Sequence, residues 1–328
     1  MSIFFLSETY SKGKDAGNKA RNDVEVILDR KYQKIYCYDM EKKNKVAKAM
    51  KVIRAVWQTK KTDILIVQYP LPMGYNWMVK LLCAMRRCVL IIHDLYKLRM
   101  GSEFEKETGA ISGAYRIVSH NEKMSAYLVS HGVDPNKIVD LGVFDYLTRT
   151  EKIVSHYQDE AFVCFAGNLK KSEFIYHISD QVASLGFNVF GINYDEKRTT
   201  NLDYFGSFDS EEIHRHIVGK FGLIWDGDSP DTCNGMFGEY MKYNDPHKVS
   251  MCIAANMPII IWSQAALADF VVKNHIGYAI DRIDDIYKLH QELTEDEYNR
   301  MTENISKIRE RVINGKMLER ALARAIGE

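Results

Sequence analysis

Short apolar runs recur through the chain, each ending in a polar or glycine-bearing turn: SIFFLSE, KIYCYD, DILIVQYP, CVLIIHD, RIVSHN and KIVDLG. Between them lie stretches with apolar residues at three and four spacing, such as KARNDVEVILDR and KVAKAMKVIRAVW. Strands that alternate with helices predict a parallel sheet whose two faces are covered by the helices. FDYLTRTEKIVSHYQDE interrupts the rhythm without a sustained period. A second series follows, AFVCFAGN, NVFGIN, DYFGSF, FGLIWDGD, PIIIW and IGYAID, again separated by helical patterns. The expected organisation is two open α/β units in tandem, residues 1–150 and 151–328, and two units imply a cleft between them. A length of 328 residues suits two domains. From Asp296 onward the chain reads as helical and charged, with ISKIRERVINGKMLERALARAI giving an amphipathic face that packs against the domains and the last helix a candidate to return to the first.

Composition excludes several classes. The 44 basic residues balance 44 acidic ones, which removes the overall attraction that non-specific nucleic-acid binding depends on. Local basic clusters remain at Lys42, Lys43, Lys45 and Lys48 and at Arg86 and Arg87, either as solvated faces or as contacts to an anionic surface. Six cysteines without a C-x-x-C pair fit a reducing compartment. MSIFFLSETY reads as a first strand rather than a leader, and no stretch reaches the ~18 consecutive apolar residues of a spanning helix. The expectation is a cytoplasmic protein, with room for peripheral contact at the inner face of a membrane and for a homo-oligomer.

In open parallel sheets, ligands bind beyond the carboxyl ends of the strands. Those ends are polar here: Ser7 and Glu8, Gln68 and Tyr69, His93 and Asp94, His120 and Asn121, then Gly167 and Asn168, Gly206 and Ser207, and Asp226 to Asp228. SETYSKGKDAGNKAR leads into a helix without a dinucleotide or P-loop fingerprint, although a helix amino terminus still favours an anion. FAGNLKKS offers Gly167 for close backbone approach, Lys170 and Lys171 for charge and Ser172 as a helix cap. It suits a phosphate, and equally a strand–helix turn with solvated lysines. In NDPHKVSMCIAAN, Asp245 is placed to cap a helix with Pro246 in its first turn. His247 and Lys248 then stand where the helix dipole disfavours cations unless an anion faces them, a reason to expect bound phosphate. WDGDSPD holds an Asp-x-Asp that reads either as a turn or as a Mg²⁺ or Mn²⁺ site through Asp226 and Asp228. His214 and His216, two apart, do not share a helix face, so no zinc site is expected and no metal is assigned.

Over KYNDPHKVSMCIAANMPIIIWSQAALADFVVKNHIGYAI, together with FAGN, FGLIWDGD, IIHDLY and AGNKARNDVEVIL, the chain resembles GT-B glycosyltransferases. These include bacterial β-galactofuranosyltransferases and the glucosyltransferases that extend glycans on serine-rich-repeat adhesins. The resemblance implies two Rossmann-like domains, a UDP-sugar donor held by the second and an acceptor held by the first. It places Lys248 on the donor diphosphate, Lys171 near a basic donor-binding position, and Gly167, Asn168, Ser207, Asp226, Asn244 and His247 around the donor. Around Gly206 and Ser207 the likeness supplies no evident aromatic side chain for the base. Gly17, Asn18 and Arg21 fall on the acceptor side, and the general base of an inverting transfer comes from Asp94, His93 or Asp15, with Asp94 favoured. GT-B enzymes generally need no divalent metal, so no cofactor is implied beyond the donor substrate, and DGD is then a turn lining the cleft. The implied acceptor is a glycan, glycoprotein or lipid-linked sugar. Two other readings stay open: a metal-dependent transferase using Asp226 and Asp228, and a non-catalytic sugar-nucleotide-binding or assembly subunit.

Overall fold

The computed structural model describes residues 1–9, 16–39, 53, 56–71, 76–101, 104–149, 156–198 and 201–327. It resolves into two compact units: one holds the chain up to Asp145 and again from Gly315, the other runs from Tyr146 to Asn314.

The first unit is a six-stranded sheet in the order β2-β1-β3-β4-β5-β6. Its strands are β1 (Ile3–Thr9), β2 (Gln33–Asp39), β3 (Ile64–Tyr69), β4 (Arg87–Ile92), β5 (Arg116–Ser119) and β6 (Ile138–Asp140). Every pairing is parallel. The central strands β3 and β4 are buried almost throughout, as expected for a sheet covered on both faces. Covering helices include α1 (Ala16–Asp29), α2 (Asn76–Met85), α3 (Tyr96–Met100), α4 (Phe104–Ile111) and α5 (Glu122–Ser130). The helix expected over KVAKAMKVIRAVW lies largely outside the described residues, with 53 and 56–58 helical.

The second sheet runs β12-β11-β10-β7-β8-β9. It comprises β7 (Val163–Asn168), β8 (Phe187–Ile192), β9 (Asp203–Tyr204), β10 (Phe221–Ile224), β11 (Ile259–Trp262) and β12 (Gly277–Ile280), all parallel. Numbered within the unit, this is the doubly wound order 3-2-1-4-5-6, whose strand sequence reverses between β7 and β10. Its helices are α6 (Asp180–Ala183), α7 (Gly235–Tyr240), α8 (His247–Ala254), α9 (Ala268–Lys273), α10 (Asp285–Glu292) and α11 (Glu295–Asn314).

The carboxyl-terminal stretch is two helices. Gly315 adopts φ +84° and separates α11 from α12 (Lys316–Ile326). A Cβ at Gly315 would lie 2.7 Å from Ile27 Cγ1 of α1, so the break needs glycine both for its left-handed backbone and for the space. Asp145 fixes the start of α12: its carboxylate oxygens accept the N–H groups of Met317 at 3.1 Å and Leu318 at 2.8 Å. Burial, working against these two donors, pushes the Asp145 carboxyl up to about 7.

Candidate active site

In the second unit, the reversal point lies between FAGN at the end of β7 and WDGD after β10. Lys248, in the first turn of α8, reaches across it. Its ammonium donates to Asp226 Oδ1 at 2.7 Å and to the Trp225 carbonyl at 3.1 Å, and it sits 4.5 Å above the Phe165 ring. The Lys248 and Asp226 side chains keep only 17% and 22% of their exposure, which leaves the pair a narrow face to solvent. Gly167 supplies the room: a Cβ there would meet Phe165 Cζ at 3.0 Å and Lys248 Cε at 3.2 Å.

The helix start differs from the sequence expectation. Pro246 occupies the cap position, the helix opens at His247, and no side-chain oxygen caps it from Pro246. Asp245 stands one residue before the cap position and is buried. The amino-terminal end of α8 therefore brings the Lys248 ammonium, ion-paired with Asp226, beside the helix dipole's positive end. His247 is half-buried, with its ring 5.1 Å from that of the buried Tyr146. Asn244 has a buried Oδ1 with no hydrogen-bond partner, an acceptor that a donor group on a ligand or water would satisfy.

The two strand-end loops are tied together. The Gly227 N–H donates to the Lys171 carbonyl at 3.4 Å, and the Lys171 ammonium lies 4.6 Å from the centre of the Phe237 ring on α7. DGD itself is a clasped turn: Gly227 has φ +114°, and the Asp228 N–H donates to Asn234 Oδ1 at 2.7 Å. Any side chain at 227 would collide with Asn234. Among the described residues, no three or more His, Cys, Asp or Glu side chains gather where they could hold a metal ion.

The turn after β7 also departs from expectation. No α-helix follows FAGN; two 3₁₀ segments do, Leu169–Lys171 and Glu173–His177. The cap is Asn168, whose Oδ1 accepts the Lys170 N–H at 3.2 Å and the Asn193 amide at 2.9 Å. Ser172 makes no cap and donates instead to the Asn168 carbonyl at 3.2 Å. Ser207 is half-buried beyond β9, next to Gly206, whose carbonyl accepts the Gly191 N–H at 2.8 Å. Aromatic side chains are in fact plentiful there. Tyr204 donates to the Gly191 carbonyl at 2.8 Å and stacks on Tyr194 at 4.2 Å, while Phe205 is 51% exposed over Phe190. Their spacing in DYFGSF and INYDE carries no period that sets them apart from core aromatics.

In the first unit, the reversal lies between β1 and β3. His93 Nε2 is 2.7 Å from Gln68 Oε1, and the His93 ring stacks on Phe144 at 5.5 Å. Gln68 is 1% exposed, and its Nε2 has no hydrogen-bond partner, a buried donor at the strand ends. Asp94 is ion-paired with Arg99. Arg21 donates to the Pro70 carbonyl at 2.8 Å, whereas Gly17 is exposed and Asn18 half-buried on α1. Asp15 lies outside the described residues. One turn along α1, Lys19 and Asp23 form a buried ion pair at 2.7 Å. Burial pushes His120 down to about 4, so this histidine is neutral at physiological pH.

Two family models account for nearly the whole chain. Residues 4–143 match the N-terminal domain of the glucosyltransferase 3-like family, and residues 163–325 match its C-terminal domain. The chain belongs to that family. Its relatives include the β-1,6-galactofuranosyltransferase WbbI of Escherichia coli K12, 31% identical, with 99% of each chain covered. Glucosyltransferase 3 of Streptococcus parasanguinis is 22% identical, covering 93% of this chain and 91% of its own. Among solved structures, a lipopolysaccharide outer core galactosyltransferase aligns with a TM-score of 0.61 at 13% identity, over 99% of each chain. That likeness, with two parallel six-stranded sheets, gives the GT-B fold. This member of the glucosyltransferase 3-like family is accordingly a glycosyltransferase.

Proposed function

We propose that the chain transfers a hexose, galactofuranose or glucose, from a UDP-linked donor to a hydroxyl of a cell-surface glycan, glycoprotein or lipid-linked acceptor. The observation that carries this reading is Lys248 at the amino end of α8, poised over the β7–β10 reversal. Nucleotide-sugar transfer must stabilise negative charge on a departing diphosphate. An ammonium combined with the N–H groups of a helix terminus does so without reorganising. Asp226 holds Lys248 extended, and Gly167 keeps the space beside it clear. Lys171, Asn168, Asn244, His247 and Ser207 are the further donor contacts in this reading.

Inversion at the anomeric carbon requires a base in the first unit to take the acceptor proton. Asp94 and His93 are the described candidates. Asp94 is held in an ion pair by Arg99, and His93 is held by Gln68 through its Nε2. Gly17, Asn18 and Arg21 are assigned to the acceptor. The transfer is proposed to run without a divalent metal, because these basic groups answer the diphosphate charge. The protein is proposed to work in the cytoplasm.

The test is release of UDP from UDP-galactofuranose and UDP-glucose in the presence of acceptor glycans, with and without excess chelator. Turnover that survives chelation and falls in Lys248→Ala supports the reading. Turnover abolished by chelator and restored by Mg²⁺ or Mn²⁺ transfers the role to Asp226 and Asp228. If UDP binds while no donor turns over with any acceptor, the binding-subunit reading takes its place.

A further inference from the structure

The chain is neutral overall, but its charge is segregated. Between positions 42 and 93 the sequence carries eleven Lys and Arg residues and a single acidic one, Asp63. That aspartate is buried and accepts the N–H groups of Ser2 and Lys60, so it offers little negative charge to the surface.

Helix α2 lies within this span and is apolar on both sides. Met78, Val79 and Leu82 face the core. Trp77, Leu81 and Met85, at i, i+4 and i+8, line the outer face and are 56%, 39% and 39% exposed. Lys80 is exposed on the same face. At the end of the helix, Arg86 donates to the carbonyls of Val56 and Thr59 and to Thr59 Oγ1, fastening residues 56–59 to this corner. Trp57 on that segment is 81% exposed, and Lys60 and Lys61 follow it, both exposed. Of the four tryptophans, the two exposed ones are here, and Trp225 and Trp262 are buried in the other sheet unit.

We infer that the outer face of α2, with Trp57 and the flanking lysines, docks on an anionic phospholipid bilayer. A ten-residue helix spans roughly 15 Å, about half of a hydrocarbon core, so it lies in the interface instead of crossing. Tryptophan and leucine on one side, with lysine and arginine and no acidic residue on α2 or on residues 56–61, is the pattern that combines interfacial burial with attraction to acidic headgroups. The charge commits the choice: an apolar patch whose described charges, exposed Lys60, Lys61 and Lys80 and half-buried Arg86, are all cationic repels a second copy of itself and complements an anionic surface. The surface belongs to the first unit and shares no residue with the donor site of the second, so it stands or falls independently of the UDP-sugar assignment.

The experiment uses the full chain with vesicles of phosphatidylcholine alone and of phosphatidylcholine mixed with phosphatidylglycerol, read by co-sedimentation and by quenching of tryptophan emission with brominated lipid. Binding to the anionic vesicles alone, weakened by salt and accompanied by quenching, is expected. Trp57→Ser/Leu81→Ser and Lys60→Glu/Lys61→Glu should each partition at least about tenfold more weakly, with an unchanged thermal unfolding midpoint as the check on folding. Equal binding to neutral vesicles, no binding to either, or sedimentation without quenching of the wild-type protein overturns the inference. So does a wild-type dimer, unbound by vesicles, that Trp57→Ser/Leu81→Ser converts to monomer.

Discussion

Removing Lys248 acts on two properties that a double-mutant cycle separates. Its ammonium makes a 2.7 Å ion pair with Asp226, a 3.1 Å bond to the Trp225 carbonyl and a cation–π contact with Phe165. Both charged side chains are mostly, but not wholly, screened from water. Exposed pairs contribute up to about 1 kcal/mol, and breaking fully buried pairs costs about 3–5 kcal/mol. Lys248→Ala should therefore lose about 1–2 kcal/mol of stability, largely because Asp226 is left without its cation. Lys248→Ala/Asp226→Asn should recover about half of that loss in urea unfolding. Turnover should behave differently. The single Lys248 variant should fall about 10²–10³-fold, the range for loss of one charge-stabilising donor, and the double variant should stay as slow. Asp226→Asn alone, which keeps the ammonium, should lose far less activity. Recovery of turnover in the double variant would refute the reasoning, because the lysine would then serve only to neutralise Asp226.

Gly167→Ala should lower turnover about tenfold and cost about 1–3 kcal/mol of stability, since its Cβ presses on the buried Phe165 ring at 3.0 Å as well as on Lys248 Cε at 3.2 Å; steady-state kinetics beside urea unfolding check it. Gly315→Ala combines a left-handed backbone with a 2.7 Å clash and should cost about 2 kcal/mol or more, read by urea unfolding. Asp145 gives a pH signature: its folded carboxyl titrates at about 7, against an ordinary value of 3.8. Between those values the unfolded chain has released a proton that the folded one keeps, so stability falls as pH rises, by about 1.4 kcal/mol per pH unit, and levels off above pH 7. The difference between wild type and Asp145→Asn should trace that slope, and a flat difference would show that the carboxyl is ionised in the folded protein throughout the range.

The sheets were legible because buried parallel strands must be apolar almost end to end, as ILIVQY and RCVLII are. The strand ends were legible as polar breaks in those runs, which is how Gly167, Asp226, His93 and Asp94 come to be named before any coordinates. Pairings across the fold were not. Asp226 and Lys248 are 22 residues apart, and His93 and Gln68 are 25 apart, with nothing local to announce either contact. Local chemistry misled at the turn after β7. Ser172 has the composition of a helix cap, yet Asn168 reaches the free N–H first, and a 3₁₀ segment forms. Apolar periodicity continues across Gly315 because both flanking helices bury a face, so only the backbone and its contact with Ile27 reveal the break.

The central claim is that the amino end of α8 receives the diphosphate of a UDP-sugar. Calorimetric titration of the protein with UDP, in the presence and absence of EDTA and beside Lys248→Ala, tests it most directly. The account predicts binding that is indifferent to EDTA and collapses in the folded variant. UDP affinity that is unchanged in Lys248→Ala would contradict it.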